Sequence, residues 1–268
     1  MGRTDAQHHQ QRKYRLIMKF NIIASGSKGN ATIVSHKKTN ILIDMGISLT
    51  RLNEGLVEFG LNIKDINAAI FTHDHSDHIS GIKFLSPKIM YALRGTLSST
   101  LTNVVENFVP FTIGDIKITP FPISHDATNP CGFVLEAGEE KLTYLTDTGT
   151  FLEESKEIAS NPNYLIIESN HDIKMLLKTN RTYELKNRIM SERGHLCNED
   201  SAILALELIG PRTKQIILAH LSEEANTPEL ALAAYLKIFK HFNVNIDKYD
   251  VRCANQWVST EGGNLSEN

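Results

Sequence analysis

The sequence predicts an α+β fold in which two sheets pack face to face and helices cover their outer faces. The chain has 268 residues, of which 41% are hydrophobic, so it can bury a sizeable core. Apolar runs of strand length form two groups, each followed by segments with helical spacing. Histidine and aspartate residues stand at the ends of several runs, so they are expected to gather along one edge of the sheets.

The first group of strands leads into a stretch rich in metal-binding side chains. Strands are expected at residues 19–24, 31–34, 40–43 and 68–71, a helix at 48–59 and a polar helix at 95–105. Directly after residue 71 come His73, His75, Asp77 and His78. Residues two apart in an extended chain point the same way, so His73 and His75 can close on one cation. Asp77 and His78 lie past the bend and can face a second.

Zinc, manganese and iron suit such imidazole and carboxylate ligands. A solvated loop that binds nothing is the alternative, but further candidate ligands follow later strands: His125, Asp147 and His220. Asp147 has two oxygens and can bridge two cations. Asp44, at the end of the strand at 40–43, can accept a hydrogen bond from a ligand histidine or cap the next helix.

The second half predicts strands at residues 109–113, 116–121, 132–136, 141–145, 163–168 and 215–219, with helices at 183–193, 198–209 and 227–241. Asn198 is expected to cap the helix that follows it, and Thr227 the last helix, with Pro228 at its first position. Lys186, Arg188 and Arg193 form a basic helical face, which is either solvated or follows a phosphate backbone.

Charge and cysteine content limit the possible partners. The formal net charge is −3, so any nucleic-acid binding requires a local basic patch or metal ions. Three widely spaced cysteines predict a reducing compartment without disulfides, and no apolar run approaches the length of a membrane span. We therefore expect a cytoplasmic protein without membrane contact. The tyrosines and Trp257 are expected in the core, and the sequence predicts no oligomeric state.

The ends of the chain differ from its middle. Residues 1–17 are polar and basic without periodicity and predict a disordered extension, whereas residues 259–268 predict a frayed tail. The intervening residues 18–258 are expected to form a single domain.

The motif from Thr72 to His78 resembles the Thr-His-x-His-x-Asp-His signature of the metallo-β-lactamase superfamily, and the other candidates follow in matching order. This resemblance implies a four-layer αββα sandwich with a centre of two divalent ions, zinc or manganese. The ligands that it implies for the first ion are His73, His75 and His125. For the second ion they are Asp77, His78 and His220. Asp147 would bridge the ions, with Asp44 behind the ligands.

Within the superfamily, residues 26–30, 168–172, 194–196 and 219–223 are similar to the bacterial WalJ/YycJ family. That resemblance implies a metal-dependent nuclease, a 5′-to-3′ DNA exonuclease. Cys197 departs from the serine expected after His-Leu, and Ala225 from the usual asparagine. His195 is similar to the histidine near the scissile phosphate in β-CASP nucleases, although the chain is too short for their inserted domain.

The predicted chemistry is hydrolysis of a phosphodiester by a hydroxide held between two cations. Asp77, alone or with Asp147, would orient the hydroxide and take up its proton. His195 would protonate the leaving oxygen or bind the phosphate, unless it only packs at a helix start. Weaker candidates for phosphate contact are Ser27, Asn30, Asn170 and His171. The glycine-rich turn that holds the first two equally suits an ordinary hairpin.

Two other functions fit parts of the sequence. An acyl, thioester or lactone hydrolase could use the same pair of ions on a carbonyl, but it would not need His195 or the basic helix. A non-catalytic metal-bound regulator is expected to have a broken ligand set, and here the set is intact.

Overall fold

The computed structural model describes residues 17–98 and 102–263, and within them the chain forms fourteen strands. Those of the first half are β1 (Lys19–Ala24), β2 (Ala31–His36), β3 (Thr39–Ile43), β4 (Ala68–Phe71), β5 (Met90–Leu93) and β6 (Asn103–Val105). Those of the second half are β7 (Phe111–Ile113), β8 (Ile116–Pro122), β9 (Cys131–Ala137), β10 (Glu140–Leu145), β11 (Tyr164–Glu168), β12 (Gln215–Ala219), β13 (Asp250–Cys253) and β14 (Thr260–Gly263).

These strands form two seven-stranded sheets, one from each half of the chain except that β14 returns to the first. The order is β14-β1-β2-β3-β4-β5-β6 in sheet 1 and β13-β12-β11-β10-β9-β8-β7 in sheet 2. Strands β3 to β6 pair in parallel, as do β10 to β13. Each sheet therefore brings the carboxyl ends of several neighbouring strands to one edge.

Seven α-helices lie in the described residues: α1 (Leu49–Glu58), α2 (Ser76–Ile79), α3 (Lys156–Ala159), α4 (Ile173–Lys178), α5 (Tyr183–Ile189), α6 (Asn198–Leu208) and α7 (Pro228–His241). Thr227 caps α7 as predicted, whereas α6 is capped by the Cys197 sulfur, which accepts from the Asp200 amide, and not by Asn198. None of the helices in this part of the chain is long and apolar enough to cross a membrane.

Three apolar clusters correspond to the spaces between layers. One lies between the sheets and includes Phe20, Phe133 and Tyr164. A second packs α6 and α7 against sheet 2, and a third packs α1 against sheet 1. The predicted α+β fold, a four-layer αββα sandwich, is therefore confirmed.

Two local predictions are wrong. A helix is expected at residues 95–105, but residues 103–105 form strand β6. Residues 99–101 lie outside the described residues. β-Branched Val104 and Val105 favour a strand, and the Asn103 side chain donates to the carbonyls of Lys88 and Met90. Pairing with a neighbouring strand thus outweighs the helical pattern.

The frayed tail expected from residue 259 is also wrong in part, because Thr260–Gly263 forms β14 and pairs antiparallel with β1. The pairing requires glycine at position 262, because a Cβ there would lie 2.1 Å from the Phe20 ring and clash with it. Residues 264–268, and residues 1–16 of the expected extension, lie outside the described part of the chain.

The packing of the core between the sheets can be tested by measuring the stability of a variant. Phe133 is fully buried there, so we expect Phe133→Ala to lower the free energy of unfolding by about 3–5 kcal/mol through the cavity that it leaves. Phe242, 54% exposed after α7, is the matched control, and Phe242→Ala should change stability by less than about 0.5 kcal/mol. Urea denaturation of both variants tests this, and equal effects would contradict the assignment of the core.

Candidate metal centre

The predicted ligands meet where the carboxyl ends of strands from both sheets face each other. Each follows or ends a strand: Asp44 after β3, the His73–His78 motif after β4, His125 after β8, Asp147 after β10 and His220 after β12. The prediction that these residues gather at one sheet edge is confirmed by the distances between their side chains.

Three of these residues adopt a left-handed backbone conformation. The φ angles are 61° at Asp44, 56° at Asp147 and 56° at His220. Such angles cost a non-glycine residue about 1–3 kcal/mol and persist only where surrounding contacts fix them. Here the Asp44 carboxylate accepts from the Thr72 amide at 2.9 Å, and the His220 amide donates to the Ser25 hydroxyl at 2.8 Å. The turns bring each side chain into the cluster directly after its strand.

The first group comprises His73, His75 and His125, whose ligand atoms lie within 4.8 Å of one another. His125 Nε2 is 3.3 Å from His75 Nδ1, and the His73 ring centroid is 4.6 Å from that of His75. The Nδ1 atom of His125 donates to the Gly194 carbonyl at 3.0 Å, which leaves its Nε2 as an electron-pair donor.

The second group comprises Asp77, His78 and His220. Asp77 Oδ2 lies 3.6 Å from His78 Nε2 and 3.8 Å from His220 Nε2. The Nδ1 atoms of both histidines are held by carboxylates, that of His78 by Asp44 at 2.8 Å and that of His220 by Glu168 at 3.0 Å. Both rings therefore present Nε2 toward Asp77.

Asp147 lies between the two groups. Its Oδ2 is 3.3 Å from His78 Nε2, and its Oδ1 is 4.0 Å from His125 Nε2. It also forms a group of possible metal-binding residues with His73 and His78. One carboxylate thus faces ligands of both groups, as a bridging role requires.

Three buried polar atoms here have no hydrogen-bond partner: His73 Nε2, Asp147 Oδ2 and His220 Nε2. More than about 90% of buried polar groups in folded proteins are paired, so three unpaired atoms in one cluster need another explanation. Each belongs to a group whose geometry could hold a cation. The residues therefore fit divalent ions with nitrogen and oxygen ligands, such as zinc or manganese.

The electrostatics agree with this fit. Burial lowers the pKa of His73 and of His125, which favours the neutral imidazole that binds metal. Burial opposes protonation of His78 too, but the carboxylates of Asp44 and Asp147 raise its pKa to about 10. Burial raises the pKa of Asp147, but His220 and His78 hold it well below its usual value. A field that stabilises added protons so strongly also stabilises divalent cations.

Glu168 is a site residue that sequence reasoning missed. The buried carboxylate ends β11 and accepts hydrogen bonds from His195 Nδ1 at 2.7 Å, His220 Nδ1 at 3.0 Å and the Leu196 amide at 3.1 Å. Although burial raises its pKa, His195 and His220 lower it to about 2, so it is ionised. The available signal was a glutamate that closes an otherwise apolar strand between Asp147 and His220 in the chain.

His195 lies at the edge of the cluster. Its ring centroid is 5.1 Å from that of His125 and 5.3 Å from that of His220. The side chain is 16% exposed, more than those of the buried ligands, and Glu168 holds its Nδ1 atom. Its Nε2 is thus the ring nitrogen left for a bound molecule.

The four weaker candidates separate into two kinds. Ser27 is exposed, whereas Asn30, Asn170 and His171 are buried. The Asn30 amide bonds to Gly26 and to the Asp77 carbonyl, so it supports the metal-binding loop and the hairpin interpretation of its turn.

Asn170 donates to the His220 carbonyl at 3.0 Å, and burial lowers the pKa of His171 to about 4. Neither offers a side chain at the surface.

The cations of the basic helical face mostly contact other groups of the same chain. Lys186 donates to two carbonyls at the end of α4, Arg188 pairs with Asp126, and Arg193 reaches the His125 carbonyl at 3.4 Å. Its cations thus hold α5 and the following turn against the site.

A two-sheet sandwich with these ligand groups at its strand ends defines the class of the protein. Residues 39–221 match the sequence model of a family described as a β-lactamase superfamily domain, and the chain belongs to this superfamily. The fold is similar to that of YhfI from Bacillus subtilis, a metallo-β-lactamase fold protein, with a TM-score of 0.69 and 18% identity over 92% of this chain and 100% of that one.

The sequence also defines the narrower group. The chain is 36% identical over 228 residues to exodeoxyribonuclease WalJ of Streptococcus pneumoniae strain D39, covering 80% of this chain and 85% of the relative. It is 35% identical over 227 residues to exodeoxyribonuclease YycJ of Bacillus anthracis, covering 79% and 85%. The chain therefore belongs to the WalJ/YycJ family, as the resemblance of its motifs implied.

The two ligand groups predict the metal content. We expect the protein to bind two equivalents of zinc or manganese, and one equivalent in His125→Ala, which removes a ligand of the first group only. Asp147→Asn should weaken both sites, because the residue faces both groups. Equilibrium dialysis and elemental analysis measure this, with exposed His241→Ala as the control. Two tightly held equivalents in Asp147→Asn would contradict the bridging role.

Proposed function

We propose that the protein is a metal-dependent phosphodiesterase that degrades DNA as a 5′-to-3′ exonuclease. The observation that carries this proposal is the pair of ligand groups sharing Asp147, with His195 held beside them by Glu168. The relatives of the chain in S. pneumoniae and B. anthracis are named exodeoxyribonucleases, which supports DNA as the substrate.

The residues would hold two divalent ions. The first would be bound by His73, His75 and His125, and the second by Asp77, His78 and His220, with Asp147 between them and Asp44 orienting His78. Bound there, the ions would act as Lewis acids on the phosphoryl oxygens and lower the pKa of water toward neutrality.

Asp77 is the carboxylate best placed to accept a proton from the attacking water. Its side chain is 21% exposed, against 2% for Asp147 and 0% for Glu168. It thus reaches the substrate side of the cluster, while His78 and His220 keep its pKa below the usual value although burial acts to raise it. The ionised carboxylate can orient the water and take its proton.

His195 would contact the scissile phosphate and donate a proton to the leaving oxygen. Its Nδ1–H bond to ionised Glu168 fixes the ring, so Nε2 is the ring nitrogen that faces the substrate and from which a proton would pass to the leaving oxygen. A hydrolase acting on an uncharged ester would have less need of this proton donor.

We place the reaction in the cytoplasm. The three cysteines are free thiols, as is typical of a reducing compartment. A DNA substrate is consistent with that location.

An end-labelled DNA assay tests the proposed function. With manganese or zinc, the wild type should shorten DNA stepwise from the 5′ end. Asp77→Asn should lose at least about 100-fold in rate, and His195→Ala about 100-fold or more, since general acid–base groups contribute roughly 10²–10⁴-fold. His241→Ala, remote and exposed, should retain the wild-type rate.

The assay also separates the rival functions. A metal-loaded wild type that cleaves a thioester or lactone but no polynucleotide would replace the proposal by an acyl hydrolase. A protein that binds metal and turns over neither substrate class would be a regulator.

The role of Glu168 can be tested separately, because Glu168 would affect catalysis by holding His195 and His220 in position. We expect Glu168→Gln to lower kcat by about 10–100-fold, the range seen when the partner of a catalytic or ligand histidine is removed. Adding His195→Ala should then cost less than it costs in the wild type, since both changes remove one unit. A double-mutant cycle measures this, with exposed Glu207→Gln as the control, and additive losses would exclude the positioning of His195 by Glu168.

A further inference from the structure

A groove with a cavity of about 520 Å³ lies beside the metal centre. Its principal lining residues are Lys28, Gly46, Ser48, Arg51, Lys83 and Trp257, with Phe84 next to Lys83. The volume falls within the roughly 300–1,000 Å³ that is usual for small-ligand sites. The groove is thus large enough for one nucleotide and open to a longer chain.

Two aromatic side chains are exposed at this groove. Trp257 is 59% exposed and Phe84 is 41% exposed, so the expectation that Trp257 belongs to the core is wrong. The Lys28 Nζ atom lies 5.2 Å from the Trp257 ring centroid, and Lys83 Nζ lies 5.1 Å from that of Phe84. An aromatic face beside a cation is the arrangement that binds a nucleobase together with its phosphate.

The tryptophan ring is held in place before any ligand arrives. Trp257 Nε1 donates to Glu223 Oε1 at 2.7 Å, and Lys28 Nζ pairs with Glu223 Oε2 at 2.7 Å. One carboxylate therefore fixes both the ring and the cation, which reduces the entropy lost when a ligand binds.

The charge of the groove is complementary to a polyanion. Three cations line it, Lys28, Arg51 and Lys83. Glu223 pairs with Lys28, and Glu54 lies 3.9 Å from Arg51, whereas Lys83 has no carboxylate partner among the described residues. Helix α1 begins at the groove, with Ser48 as its cap and no acidic residue in its first turn, so the positive end of its dipole adds to the attraction. This local charge contrasts with the net charge of −3 of the whole chain.

The groove and the metal centre share one wall. Gly46 lines the groove, and its backbone packs directly on the Asp77 carbonyl. A Cβ at position 46 would lie only 1.6 Å from that carbonyl. The same carbonyl accepts a hydrogen bond from the backbone N–H of Asn30 at 2.8 Å. The side chain of Gln256, next to Trp257, donates to the Gly29 carbonyl at 3.0 Å. A strand lying in the groove would therefore be adjacent to the loop that holds Asp77.

We propose that this groove binds unpaired nucleotides of the DNA substrate. Bases stack on Trp257 and Phe84, and phosphates bind Lys28, Lys83 and the amino end of α1. This inference rests on the proposed nuclease function, since it names the part of the substrate that the same site engages. It places unpaired DNA against the back of the metal-binding loop while the scissile phosphate lies at the ions.

Trp257 is the single tryptophan of the chain, so its fluorescence reports directly on the groove. The metal-loaded, full-length protein is titrated with a phosphorothioate-linked oligothymidylate, which resists cleavage. We expect saturable quenching that weakens as salt increases. Phe84→Ala and Lys83→Glu should each weaken binding about ten-fold, in line with the loss of a stacked base or a phosphate contact.

The matched controls are Phe242→Ala and Lys240→Glu. Both residues are exposed at the carboxyl end of α7, where Phe239 of the same helix packs on Tyr249. Tyr249 directly precedes β13, whereas Trp257 follows the other end of that strand. Neither control should change the affinity by more than about two-fold, as expected of surface substitutions away from a site.

The outcomes separate this inference from the proposed function. Absence of quenching, or equal losses in the groove variants and the controls, would overturn the groove even if the wild type degrades duplex DNA. Quenching that the groove variants weaken selectively would support it. If that protein then hydrolysed no DNA, the groove would stand as a DNA-binding site and the exonuclease function would fail.

Discussion

A buried carboxylate such as that of Asp147 is stable only where nearby positive charge compensates for its lost hydration. The chain surrounds it with imidazoles: His78 at 3.3 Å, His220 at 3.4 Å and His125 at 4.0 Å. Although burial acts to lower them, neighbouring carboxylates raise the pKa of His78 to about 10 and the pKa of His220 well above its usual value. The Oδ2 atom of Asp147 nevertheless has no hydrogen-bond partner, so the imidazoles alone do not satisfy it. The packing of both sheets around this point is therefore suited to divalent ions.

The sheets hold this charge in place through their topology. Parallel pairing of β3 with β4, of β10 with β11 and of β11 with β12 aligns the strand ends. Left-handed backbone conformations at Asp44, Asp147 and His220 turn the chain there. The backbone strain of these turns is offset by the bonds that the cluster itself makes. Asp44 and Glu168 then fix which nitrogen His78 and His220 present. Fold stability and site geometry consequently depend on the same contacts.

The sequence predicted which side chains gather because its signal is local. His73, His75 and Asp77 follow an apolar strand at fixed spacing, and the spacing determines which side chains share a face. Glu168 escaped detection because a single glutamate at a strand end is common, and only the fold brings it to His195 and His220.

Where tertiary contacts decide, the pattern was insufficient. Residues 103–105 form a strand only because β5 offers an edge, and Thr260–Gly263 does so because β1 does. Trp257 follows β13, and the sequence around it does not determine whether its side chain is buried or exposed. Its exposure results from the bond to Glu223 and the packing of Gln256 on the turn beside Asp77, neither of which can be inferred from spacing.

A net charge of −3 and a polyanionic substrate are compatible only if positive charge is concentrated near the site. Much of the basic helix is committed to internal contacts with Asp126 and backbone carbonyls, so its charge is partly neutralised. The attraction must then come from bound ions and from the groove beside them, where Lys83 has no carboxylate partner among the described residues and the first turn of α1 carries no acidic residue. Such short-range attraction favours a DNA end that enters the site over long duplex lying across the surface, and this is the form of substrate that an exonuclease requires.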